Sequence, residues 1–482
     1  MELTRRGFIS GSAAFAAMRP WRMFAADGLS KPITLNVPPH DAMPRLRFGV
    51  VSDVHVREAT GPYGTEALFK AFAWFRDQGV DGVVIAGDMA DQGLIAQLQH
   101  VADAWEKAFP NGKGLGGKPV EKLFIYGNHD VGGSKYPKPE DTIAADRAAA
   151  WERVFKEPYA PIWKKTVKGY TFIGAHWDSW KGVSAIGPYM KEHAAELRGD
   201  TPFFYIQHPH PKDTCHGPWA WGSDDGTVGR TLSQFPNAIA FSGHSHHPLT
   251  DERSIWQGAF TSIGTASLRY IDPVYGRENA GPHALDDLKQ MPIVDQFSGK
   301  EGMLVSVYGD HIAIERRDFV YDGKLGPDWI IPLPAANAKP FDFKVRAANA
   351  VAPQFPAGAK VTVSGPADGK DRKGRAARQL TVTFPAALQD AAHTRAYDYE
   401  IAAEVEECDI RRIACTKRIY SPAYFLAPER EPKTVSCVFS LNELNTRQGS
   451  CFVPTVRFIV RAAETFGKKS EAIASVPSKI LT

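Results

Sequence analysis

Along the first two thirds of this 482-residue chain, short apolar runs stop abruptly at aspartate, asparagine or histidine. "RLRFGVVSD" ends in Asp53, with His55 two residues on, and "DGVVIAGD" ends in Asp88, with Asp91 close behind. "KLFIYGNHD" ends in Asn128, His129 and Asp130. Further on, "YTFIGAHWD" carries His176 and Asp178, "PFFYIQHPH" carries His208 and His210, and "AIAFSGHSH" carries His244 and His246, followed by His247. Such runs read as buried strands. Helical patterns separate them. In "TEALFKAFAWFRDQG", Ala67, Leu68, Ala71, Phe72 and Phe75 recur at helical spacing and Gly79 is a stop signal, and "LIAQLQHVADAWEKAF" is helical too. This alternation predicts a layered α/β core. "GAFTSIGTAS" and "GMLVSVYGDHIAIERRDF" are strands at shorter spacing and predict a second sheet facing the first.

Burying Asp53 or His55 unpaired would be costly, and a lone Asp-x-His says little. Groups beyond the carboxyl ends of strands in an α/β sheet share one crevice, however. Five of these clusters, all but that of His176 and Asp178, are therefore expected to meet and to bind metal. They are too many for one four-coordinate ion. Oxygen donors mixed with imidazole suit Zn, Mn, Fe or Ni, with no thiolate involved. A carboxylate such as Asp88 can bridge two ions, and two ions about 3.5–4 Å apart can clamp an in-line displacement at phosphorus.

The order Asp-x-His, Gly-Asp-x-x-Asp, Gly-Asn-His-Asp, His, Gly-His-x-His over residues 46–320 resembles the calcineurin-like metallophosphoesterase superfamily. The resemblance implies a four-layer α/β/β/α sandwich and a dinuclear centre that hydrolyses phosphate esters. It implies that Asp53, His55 and His246 hold one metal, that Asp88 bridges, and that Asn128, His208 and His244 hold the other. His129 would steady the transition state or protonate the leaving group, with Asp130 orienting it by hydrogen bond. The pattern favours His208 over His210, makes Asp91 a supporting carboxylate, and leaves His247 lining the rim; the mechanism does not need Cys215.

Loops after the ligand strands are expected to choose the substrate. Trp177, Trp180, Trp219 and Trp221 offer faces on which a base or sugar could stack. His176, Asp178 and His210 are further candidate substrate contacts, and Lys135, Lys181 and Arg230 are the cations of these loops. Phosphomonoesters and phosphodiesters both remain open. The alternative is a catalytically silent metal-containing protein that binds partners, for example at a cell surface. Loss of catalysis would show most simply as a missing Asp88 or Asn128–His129, and both are present.

The pattern changes after "LGPDWIIPLP". A Pro- and Ala-rich linker is expected at 332–340, between a phosphoesterase domain at 31–331 and a second domain at 341–482. Short runs such as "AKVTVSG", "RQLTVTFP", "AYDYEIAAEV" and "KTVSCVFSL" predict a smaller all-β sandwich there. Its last run resembles the final hairpin of a fibronectin type III domain. At the other end, Arg5, Arg6 and Phe8 in "TRRGFISGSAAFAA" resemble a twin-arginine export signal within residues 1–30. That implies handling by the export machinery and a periplasmic or extracellular protein, its signal cleaved or retained. Cys408, Cys415, Cys437 and Cys451 lack the tight spacing of a zinc knuckle. Disulfides Cys408–Cys415 and Cys437–Cys451 are expected instead. A net charge of +3, without a basic run that would track a phosphate backbone, argues against nucleic-acid binding. No apolar run of about 20 residues predicts a membrane span.

Overall fold

Every apolar run quoted above forms a strand in the computed structural model, which describes residues 43–57, 64–132, 138–179, 183, 185–218, 220–272, 299–371, 374–390, 394–422, 432–444 and 454–480. In chain order the strands of the first part are β1 (Leu46–Val51), β2 (Gly82–Ala86), β3 (Glu121–Ile125), β4 (Ile162–Val167), β5 (Tyr170–Ala175), β6 (Phe203–Ile206), β7 (Ala238–Ser242), β8 (Ile255–Gln257), β9 (Thr261–Gly264), β10 (Glu301–Val307), β11 (His311–Asp318), β12 (Gly323–Lys324) and β13 (Trp329–Pro332). They form two sheets. One runs β12-β11-β10-β1-β2-β3, with β13 paired to β11; the other runs β4-β5-β6-β7-β9-β8. β1, β2 and β3 are mutually parallel, as are β5, β6, β7 and β9. Their carboxyl ends in each sheet therefore lie side by side.

The sheets stack through alternate side chains. Phe48 and Val50 of β1 and Val84 of β2 share a core with Phe172, Phe204, Ile239 and Phe241 of the opposite sheet. The Phe48 ring meets those of Phe172, Phe204 and Phe241 edge-on at 5.1, 4.8 and 5.8 Å. The outer set, including Val51, Val83, Ile85 and Phe124, packs under helices α1 (Thr65–Asp77), α2 (Ile95–Ala108) and α3 (Arg147–Phe155). Leu68, Ala71, Phe72 and Phe75 form the buried stripe of α1. On the other side, Ile173, Tyr205 and Ala240 pack under α4 (Ile186–Glu192), the short α5 (Ala194–Leu197) and α6 (Thr227–Leu232). The architecture is the expected α/β/β/α sandwich, and no helix among the described residues is long and apolar enough to cross a membrane.

The C-terminal part adds two antiparallel sheets. Strands β14 (Thr362–Lys370), β15 (Ala376–Pro385) and β18 (Thr434–Ser440) form one; β16 (Asp398–Glu407), β17 (Ile410–Tyr420), β19 (Thr455–Ala463), β20 (Ile473–Ala474) and β21 (Ser478–Lys479) form the other. Val382 and Phe384 pack with Tyr399 and Ile401 between them, and Phe439 meets Phe458 at 4.9 Å. The core runs without a break from the first part through Trp329 and Phe341 into these sheets.

The Cys408–Cys415 disulfide is not formed. Cys408 occupies the two-residue turn between β16 and β17, with φ 50°, while Cys415 lies well along β17 opposite Ala403. At about 3.3 Å per strand residue, the two are far beyond the roughly 7 Å Cα separation a disulfide spans. Cys437 lies buried in β18, but its expected partner Cys451 and the export signal fall outside the described residues.

Candidate metal centre

The strand ends deliver the predicted ligands to one pocket. Asp53, His55 and His246 bring ligand atoms within 4.8 Å of one another, as do Asp88, His208 and His244, and as do His55, Asp88 and His129. Asp88 stands between the groups. Its Oδ2 is 3.1 Å from His208 Nε2 and 3.7 Å from His55 Nε2. Asp53 Oδ1 is 3.1 Å from His246 Nε2.

Backbone geometry shows what this convergence demands. Asp53, His55, Asp88, His244 and His246 all have φ between 48° and 71°. That left-handed region is uncommon for residues other than glycine, and it concentrates at functional sites. Asp53, Asp88 and His244 each stand two residues beyond the end of their strand. Glycines make room: a Cβ on Gly127 would meet Asp88 Oδ1 at 2.2 Å, and one on Gly243 would meet Asp53 Oδ2 at 2.4 Å.

Each ring is aimed by a second contact. His208 Nδ1 donates to the Ala86 carbonyl at 2.8 Å and His246 Nδ1 to the Tyr270 carbonyl at 3.1 Å. Nε2 is thus the atom turned towards the carboxylates on both, the usual arrangement for a metal-binding histidine. His55 Nδ1 donates to Asp91 Oδ1 at 3.0 Å, which makes Asp91 the supporting carboxylate expected. Burial pushes the Asp53 and Asp88 carboxyls up, yet His246 beside the one and His208 beside the other hold both well below the usual range. Burial pulls His55 and His208 down, and the surrounding carboxylates lift them to about 10 and about 9. The carboxylates are thus held in the ionised form that ligates a cation. Asn128 Oδ1 and His208 Nε2 are buried without a hydrogen-bond partner, and with the carboxylates beside them the donor set fits divalent metal.

Several expected roles change. Asp130 does not orient His129. Its carboxylate accepts the N–H groups of Met89, Ala90 and Gly127 at 3.3, 2.7 and 2.7 Å, tying the ends of β2 and β3 together. The His129 ring is held instead by the Asp91 carbonyl, to which Nδ1 donates at 2.8 Å. His176 is buried against Tyr126, Trp151 and Tyr159 and accepts the Tyr126 N–H. His210 is buried and bonded to the hydroxyls of Ser242 and Ser245, outside the ligand groups. His247 does not line the rim but lies buried beside His216. Trp177 is buried behind His208 and His244, whereas Trp221 is 39% exposed with its ring 5.2 Å from that of His244. Asp178 is exposed, and Arg230 bonds Thr227 on α6. Trp180, Trp219, Lys135 and Lys181 lie outside the described residues. Tyr270, whose ring lies tilted against that of His246 at 4.2 Å, was not legible in any motif, because the strand it follows ends without aspartate or histidine.

Residues 46–248 match the family model described as calcineurin-like phosphoesterase. Among solved structures, the chain is similar to a dimetal phosphatase from Danio rerio, with 11% identity, 60% of this chain and 99% of that chain covered, and a TM-score of 0.38. It is also similar to a conserved uncharacterized protein from Streptococcus pneumoniae, described as a predicted phosphoesterase, with 12% identity, 60% and 97% covered, and a TM-score of 0.27. Vacuolar protein sorting 29 from Cryptosporidium parvum matches with 10% identity, 60% and 97% covered, and a TM-score of 0.28. No curated protein sequence matches the chain.

Proposed function

We propose that the protein is a dinuclear metal-dependent hydrolase of phosphate esters. The observation that carries this reading is Asp88, whose carboxylate falls in one group with His208 and His244 and in another with His55 and His129. Asp53, His55 and His246 would hold one ion, and Asn128, His208 and His244 the other, with Asp88 between. Divalent ions held there supply Lewis-acid polarisation of the phosphoryl group and activation of the attacking water. His129 is exposed at the mouth, and its Nε2 is the atom that hands a proton to the departing ester oxygen. The Asp91 carbonyl keeps that ring in place while the Asp91 side chain orients His55. Trp221 offers a rim face for the ester group beyond phosphorus. Export by the twin-arginine route and the division of the chain near 332–340 belong to the same proposal.

Chelation followed by dialysis should abolish turnover of activated phosphate esters, and Mn or Zn should restore part of it. Asp88→Asn should be more damaging than Asp91→Asn, since only Asp88 would touch both ions. Full turnover in protein shown metal-free by elemental analysis would refute the reading.

A further inference from the structure

Beyond the ligands, a continuous buried path leads from the loop bearing His244 and His246 to the C-terminal sheets. His247, next to the ligand His246, lies with its ring 4.4 Å from that of His216. His216 Nδ1 is 3.7 Å from Asp251 Oδ2, and its Nε2 is 3.2 Å from Ser254 Oγ. The Ser254 hydroxyl donates to the carbonyl of Pro248, the residue after His247, at 2.6 Å. Asp251 takes two nitrogens of Arg253, Nε at 3.1 Å and Nη2 at 2.8 Å. Arg253 Nη2 also donates to the Tyr397 hydroxyl at 3.1 Å, and the guanidinium lies over the Tyr397 ring at 5.0 Å. Asp251 and Arg253 are completely buried and Tyr397 is 1% exposed. Tyr397 leads into β16, so it belongs to the C-terminal sheets and not to the sandwich that carries the ligands.

A buried arginine–aspartate pair is weak evidence of net stability, but removing one partner of it is strongly destabilising. Here the Tyr397 hydroxyl adds a contact from the C-terminal sheets, accepting from the same Nη2 that bonds Asp251. We propose that Tyr397, through Arg253, Asp251 and His216, is a positioning residue for the loop that holds His244 and His246. The C-terminal sheets would then be a working part of the metal centre. This rests on the dinuclear reading above and extends it to residues remote from the ions.

The test is cobalt titration of metal-stripped full-length protein, read by visible absorption and elemental analysis. Tyr397→Phe keeps the ring over Arg253 and removes only the hydroxyl, and His216→Asn breaks the path at its other end. Each should weaken cobalt binding by about 3–10-fold, less than the 10–100-fold typical of a group bonded directly to a ligand. Each should also shift the cobalt absorption, while circular dichroism stays that of the wild type. The double variant should lose no more than the weaker-binding single variant, because both act on one path. Wild-type affinity and spectrum in Tyr397→Phe, or fully additive losses in the double variant, would overturn the proposal. Wild-type protein that takes up no cobalt would overturn the dinuclear reading itself, and this inference with it.

Discussion

His129 differs from its neighbours in the cluster by being open to solvent, although its backbone N–H is fixed to Asp88 Oδ1 at 2.9 Å. The loop thus holds the residue firmly while one face of the ring stays available to substrate. His129→Ala should lower kcat by about 10²–10⁴-fold, the usual worth of a positioned acid–base group. Bound metal should stay at the wild-type level; loss of an ion on elemental analysis would make His129 a ligand instead. At this scale, residue type and position in a motif carried most of the information. Aspartate, asparagine and histidine at strand ends were legible because apolar strands do not otherwise end that way. The partners of Asp130 were not, since they are backbone N–H groups of β2 and β3 that only the folded register brings together.

Strands differ in how openly they announce themselves. β1, β2 and β7 are buried on both faces, and such strands read as continuous apolar runs. Phe48 lies between the two sheets against three rings of the opposite one. Phe48→Ala should destabilise the protein by about 3–5 kcal/mol in denaturant unfolding, through lost burial and the cavity left behind. Edge strands gave weaker signals. β4, "IWKKTV", and β17, "IRRIACTKRIY", each border a sheet and alternate with charge, as strands that must resist pairing with other chains do. The sequence alone reads "CDIRRIAC" as a loop closed by its cysteines; the structure makes it a turn and an edge strand, with Ile410 and Ile413 exposed.

At the scale of the whole molecule, Glu252 draws the parts together. It accepts from Arg316 and Trp329 of the first part and from Arg346 in the helix Phe343–Ala348 that precedes the C-terminal sheets. Burial pushes this carboxyl up, but Arg316 and Arg346 bring it down to about 2. A carboxyl lowered in the folded state adds stability above its unfolded value near 4.5, and that stability is lost as pH falls towards 2. A third of the side chain reaches solvent, so the loss is about 1–2 kcal/mol rather than the full shift. Thermal unfolding followed from pH 5 to pH 2 should show it, and Glu252→Gln should flatten that part of the profile.

The path from His247 to Tyr397 also sets a timetable. Tyr397 follows His246 by about 150 residues, and β20 and β21, at the end of the chain, complete the sheet that contains β16. A ribosome adding roughly 5–20 residues per second needs on the order of ten seconds to pass from one residue to the other. During that interval the ligand loop exists without its far anchor. The nascent chain must hold its sheets apart from other chains meanwhile, so on this proposal the loop of His244 and His246 takes its final form only after the C-terminal sheets have been made.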